Sequence, residues 1–135
     1  MKFKFLEHTA DIKFQAFGKS LEEVFVNAAL ALKEIMTRGI KVKSRINKKF
    51  EISGKNNERL LYNFLEEFLY LSDAEDFLLS KIKDIKIKNN KLIAEVIGDD
   101  AESYKFSNNV KAITYSEMFV KKEKDKYTIQ VVVDV

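Results

Sequence analysis

Three anionic groups and one histidine carry most of the chemistry this sequence could do. His8 is the single histidine of the chain, so no site can draw two imidazoles from one copy. It stands three residues before Asp11, where the pattern predicts a turn between two strands. A histidine there is either a general base or metal neighbour, or a turn residue bonded to backbone. Asp11 opens an alternating stretch in which aspartate is disfavoured, so it reads as a turn carboxylate or as a ligand. Asp134 follows Val131-Val132-Val133 and precedes Val135, whose terminal carboxylate adds a second anion beside it. If the end of that strand meets the turn at Asp11, three carboxylates converge. Like charges resist joint ionisation unless a cation neutralises them. Oxygen donors of this kind suit a hard divalent ion, calcium or magnesium, over a soft metal. A solvated aspartate at a frayed end is the other reading of Asp134.

Other chemistries drop out. There is no cysteine, hence no disulfide, thiolate zinc site, iron–sulfur cluster or cysteine nucleophile. That composition suits a reducing compartment. There is no Gly-rich phosphate loop, no HExxH and no Ser–His–Asp order. Lys41-Val42-Lys43, Lys81-Ile82-Lys83 and Lys86-Ile87-Lys88 alternate charge with apolar residues, as the solvent faces and edges of strands do. The arginines are Arg38, Arg45 and Arg59, a thin supply for bidentate phosphate recognition.

The elements that must position these groups follow from the pattern. The 135 residues, 46% apolar and 33% charged, predict one domain over 1–135 with one core. Twenty-four basic against twenty-one acidic residues give a net charge of +3, too even for a protein that coats nucleic acid. No apolar run approaches the roughly 18–20 residues that span a bilayer. Charged residues at Glu7 and Asp11 leave no apolar signal-peptide core. The expectation is a cytoplasmic protein.

Alternation predicts strands over 3–7 and 11–16. Ser20 with Glu23 three residues on forms a capping-box pattern before the apolar stripe of Leu21, Val24, Phe25, Ala28, Leu32 and Ile35. Gly39 is its expected stop. An irregular strand is expected over 41–53, ending at Gly54. Asn56 or Asn57 caps a second helix, apolar around a wide arc and ending over 72–76; Tyr62 and Tyr70 stand at its edge as candidate partner contacts. Strands over 78–88 and 91–98 flank Asn89-Asn90, which suits a tight hairpin. The polar 99–109 reads as a loop, and 118–122 with 127–133 as a last hairpin. No internal repeat is evident. The order predicts an α+β domain, two helices packed on a largely antiparallel sheet.

Three stretches together resemble archease: Glu7-His8-Thr9-Ala10-Asp11-Ile12 with the helix from Ser20 to Met36-Thr37; Leu60-Leu61-Tyr62-Asn63-Phe64-Leu65-Glu66-Glu67-Phe68-Leu69; and Val110-Lys111-Ala112-Ile113-Thr114-Tyr115 with the closing Val133-Asp134-Val135. They span essentially the whole chain in family order. The resemblance implies a small α+β accessory protein, not a stand-alone enzyme. It would assist the RtcB-type RNA ligase of tRNA splicing by promoting guanylylation of that ligase and repeated turnover, and by broadening the nucleotide it accepts. It implies a divalent-ion site, calcium above all, at Asp11, Asp134 and the Val135 carboxylate, with His8 a possible neighbour and Lys111 a functional lysine. The RtcB-type ligase is the implied partner, with tRNA engaged through it. The chain departs from the family at Ser116-Glu117, where a histidine is common, so that histidine's role does not carry over.

Two rival readings stand beside this one. An RNA-binding module presenting RNA through lysine-rich strands predicts direct, salt-sensitive RNA affinity. A metal-dependent hydrolase acting alone lacks an evident general base or substrate pocket in the sequence.

Overall fold

The computed structural model describes residues 1–7, 10–105 and 108–135; His8 lies outside the described residues. In chain order the elements are β1 (Phe3–Leu6), β2 (Ile12–Gly18), α1 (Leu21–Thr37), β3 (Ile46–Ser53), α2 (Asn57–Glu75), β4 (Phe77–Lys88), β5 (Lys91–Asp100), a 3-10 turn (Ala101–Ser103), β6 (Ala112–Glu123) and β7 (Lys126–Asp134).

Each helix follows a strand through the same short turn. Ser20 caps α1 by accepting from the Glu23 N–H at 3.1 Å, and Asn56 caps α2 by accepting from the Arg59 N–H at 2.8 Å. Side-chain oxygens there satisfy donors that the first turn leaves without partners. Asn27 then donates to the Phe17 carbonyl at 2.7 Å, and Asn63 to the Ser53 carbonyl at 2.9 Å. Gly18 and Gly54 sit where an added Cβ would meet backbone nitrogen at 2.6 Å, on Val24 and Leu60 respectively. The two units are a local structural repeat. Their sequences share only Gly-Lys, a glutamate (Glu22 and Glu58) and the asparagine, too sparse a pattern to mark a repeat.

The α+β class with two helices and antiparallel strands holds, but the strands divide between two sheets. One has the order β1-β2-β7-β6, the other β3-β5-β4, and every pairing is antiparallel. α1 touches β1, β2 and β7 on one side and β4 on the other; α2 touches β6 on one side and β3, β4 and β5 on the other. The helices therefore form a middle layer. That is why the apolar arc of α2 is wide: a helix covered on two sides buries more than one stripe. Phe64 is the junction, with ring centroids 5.7 Å from Phe25, 6.2 Å from Phe50 and 5.1 Å from Phe68.

Boundaries moved where tertiary contacts decide them. β3 begins at Ile46 rather than 41, because the preceding segment is held by side chains and loop bonds: Val42 is buried, and the Lys43 N–H donates to the Tyr104 hydroxyl at 2.9 Å. The expected 99–109 loop starts later, since Asp99 and Asp100 complete β5. β6 starts at Ala112, well before 118, because its first residues pair with the end of β7 and a bulge separates Thr114 from Phe119. Asn89 and Asn90 both take positive φ, 53° and 61°, in the expected tight turn.

Candidate functional site

β7 runs between β2 and β6 in the first sheet, so its last residues have a strand on either side. Ile12 pairs with Val133 and Ala112 with Asp134, and the Lys111 N–H donates to the Asp134 carbonyl at 2.8 Å. Asp11 immediately precedes Ile12, Lys111 precedes Ala112, Asp134 ends the middle strand and Val135 follows it. Antiparallel register thus brings four residues, scattered from one end of the sequence to the other, to one end of one sheet. Asp11, Asp134 and Val135 are half-buried and Lys111 is exposed.

Asp11 is presented by a turn in which Ala10 takes a φ of 67°. A non-glycine residue there carries backbone strain of about 1–3 kcal/mol, tolerated only when the surroundings dictate the conformation. Asp11 and Val135 also line an open cleft of about 750 Å³ together with Glu7, Ile35 and Arg38. Glu7 and Arg38 were not singled out from the sequence; one lies in the motif segment and the other just past a helix end, and only the register makes them neighbours of Asp11.

Among the described residues, no three Asp, Glu, His or Cys side chains cluster as a metal site would require. The side-chain donors at the sheet end are two aspartate carboxylates, beside which the sequence reading expects the carboxylate of Val135. All are hard oxygen donors, so in chemistry they fit a calcium-like ion. Asp11 would supply one side of such a site, and Asp134 and Val135 the other.

Glu117, at the position where the sequence departs from the resembled pattern, sits in the β6 bulge with a φ of 54°. Its carboxylate pairs with Lys13 of β2 at 3.3 Å, and its carbonyl accepts from Gln130 at 2.8 Å. The bulge thereby folds across the sheet face remote from the helices, where Gln130 and Val132 are buried.

The segment leading to Lys111 is anchored at its start by Asp99, which is 4% exposed. The Tyr104 hydroxyl donates to it at 2.7 Å and the Asp100 N–H at 2.9 Å. Those donors hold the Asp99 carboxyl below the usual carboxylate range, with Arg45 adding to the effect. The two edge tyrosines have different surroundings: Tyr62 is half-buried and stacks on Tyr115, while Tyr70 is exposed.

Among the described residues, no helix is long and apolar enough to cross a membrane.

Comparison with known proteins gives a consistent result. The model of the archease protein family matches residues 3–135. A protein archease from Sulfurisphaera tokodaii is 39% identical over 137 residues, covering 99% of each chain. The solution structure of protein 1598 from Methanobacterium thermoautotrophicum superposes with a TM-score of 0.82 at 36% identity, covering 98% of each chain. A Thermotoga maritima crystal structure, described as an archease and possible chaperone, superposes with a TM-score of 0.68 over 98% of this chain and 96% of that one; at 24% identity it speaks to the fold alone.

Proposed function

The chain belongs to the archease family, and on that premise we propose that it is an accessory protein of an RtcB-type RNA ligase. It promotes guanylylation of the ligase and repeated turnover, and it widens the nucleotide the ligase accepts. The observation that carries this reading is the shared sheet end of Asp11, Lys111, Asp134 and Val135. Asp11, Asp134 and the Val135 carboxylate would hold a divalent ion, calcium above all. When bound, that ion neutralises carboxylate repulsion and can polarise a phosphate oxygen of a docked partner.

The remaining steps belong to the chain's own residues. Asp11 and Asp134 stand at the same end of adjacent strands, where register sets their backbones side by side. Lys111 adds a compact, rotatable cation beside them, suited to an anionic group of the ligase or its nucleotide.

The test is RNA joining by a purified RtcB-type ligase under multiple turnover. The intact chain should raise the number of turnovers. Asp134→Ala and Lys111→Ala should each remove most of that gain while leaving the fold intact by circular dichroism. Full activation by both variants would overturn the assignment.

A further inference from the structure

A second cleft, of about 670 Å³, opens at the start of α2 and is lined by Lys55, Asn56, Glu58, Arg59, Asn63 and Tyr115. Tyr115 leaves β6 at the bulge and is 47% exposed. Its ring lies parallel to that of Tyr62, at 4.3 Å and 6°. The Arg59 guanidinium sits 5.2 Å from the Tyr62 centroid and 5.7 Å from that of Tyr115, and it donates a hydrogen bond to the Tyr115 hydroxyl. The exposed ring is therefore a braced platform with a cation at its edge.

Arg59 is a cation where the helix start favours an anion. The equivalent position in the first strand-to-helix turn is Glu23, an acid in the first turn of α1. A helix start favours anions, because its backbone N–H groups and macrodipole are positive there. A cation at that place in α2 repels the helix end and adds to its positive field. Further cations border it. The Gly54 N–H donates to the Asn90 carbonyl at 3.1 Å, and Asn90 donates to the Lys55 carbonyl at 3.3 Å. This brings the β4–β5 turn, with Lys88 and Lys91 paired across it, beside Lys55. Among the described residues none of Lys55, Arg59, Lys88 and Lys91 forms an ion pair with a carboxylate. Glu58, the acid of the cleft, accepts the Val120 N–H of β6 at 3.2 Å.

We propose that this cleft binds a nucleotide unit of single-stranded nucleic acid, with a base stacked on Tyr115 and phosphates on Arg59, Lys55 and the lysines of the β4–β5 turn. Every base has a π-face, so the platform is tolerant of sequence, and the cations track the backbone. The cationic path runs past one phosphate, which favours a strand over a free mononucleotide. The site lies at the α2 start and involves neither a divalent ion nor a ligase, so it stands or falls apart from the proposed function. It differs also from a general role for lysine-rich strands: Lys83 of β4 is paired with Glu95 at 3.6 Å.

The experiment titrates the full chain with labelled short oligouridylate at several salt concentrations, reading polarisation and tyrosine fluorescence, which is unobscured because the chain has no tryptophan. Binding should weaken steeply with salt, and tyrosine emission should be quenched. Tyr115→Ala and Arg59→Gln should each weaken binding by about ten-fold. Lys81→Gln, outside the cleft, should change it by less than about two-fold. Tyr115→Ala and Arg59→Gln should both keep the far-ultraviolet circular dichroism of the native chain at the titration temperature, so that their loss of binding is not unfolding. Uridine monophosphate should bind at least about ten-fold more weakly than the oligomer. Absence of binding at low salt would overturn the proposal. So would equal losses in Lys81→Gln and Tyr115→Ala, which mean diffuse attraction only, or equal affinity for the mononucleotide, which would assign the cleft to free nucleotides.

Discussion

Asp99 shows how one buried side chain ties the fold to acid stability. Its carboxyl is held below the ordinary range first by the Tyr104 hydroxyl and then by the Asp100 N–H. A carboxyl depressed in the folded state stabilises above its unfolded value and loses that contribution as pH falls through the folded one. The native melting temperature should therefore drop on acidification below about pH 4. Asp99→Asn should melt lower at neutral pH and lose less over that range; parallel melting curves from pH 7 to 3 would contradict the role. At the sheet end, Asp11→Asn and Asp134→Asn should each reduce calcium affinity by about ten-fold or more, because a neutral amide replaces one of few anionic donors. Calcorimetric titration or the calcium-induced rise in melting temperature measures it. These residues were legible by type: an aspartate opening a strand and another closing one are misplaced on propensity alone. Their meeting was not, since it depends on β7 pairing with strands from both ends of the chain.

Elements were legible where local chemistry sets them. Ser20 with Glu23 gave the start of α1, and Asn89-Asn90 gave the β4–β5 turn. The bulge at 115–118 was not legible, because nothing local marks residues whose partners lie on α2 and β2. The same holds for the split into two sheets, which is a matter of which strands pair across long sequence separations. The paired strand-to-helix turns make a prediction at this scale. Asn27→Ala and Asn63→Ala should each cost about 1–2 kcal/mol, since each leaves a strand-end carbonyl without its donor. Gly54→Ala should cost more than either, because its Cβ would meet the Leu60 nitrogen at 2.6 Å, and backbone cannot give way as a side chain does. Urea denaturation of the three variants ranks them directly.

For the whole molecule, a helical layer between two sheets means that both sheets share one core. Phe64→Ala, which removes the ring joining Phe25, Phe50 and Phe68, should cost about 3–5 kcal/mol and lower a single cooperative transition without splitting it. Two separate transitions would show that the sheets fold as independent units. In this fold Asp11 and Asp134, far apart in the sequence, are brought to one end of the first sheet, and the proposed activity depends on that meeting. The most direct measurement is transfer of labelled GMP onto a purified RtcB-type ligase under multiple turnover, with the intact chain, with Asp11→Ala and with Val135 removed. The intact chain should accelerate the transfer, and both variants should lose the acceleration while keeping their far-ultraviolet circular dichroism. Equal acceleration by all three would show that the carboxylate end of the sheet is not what acts on the ligase.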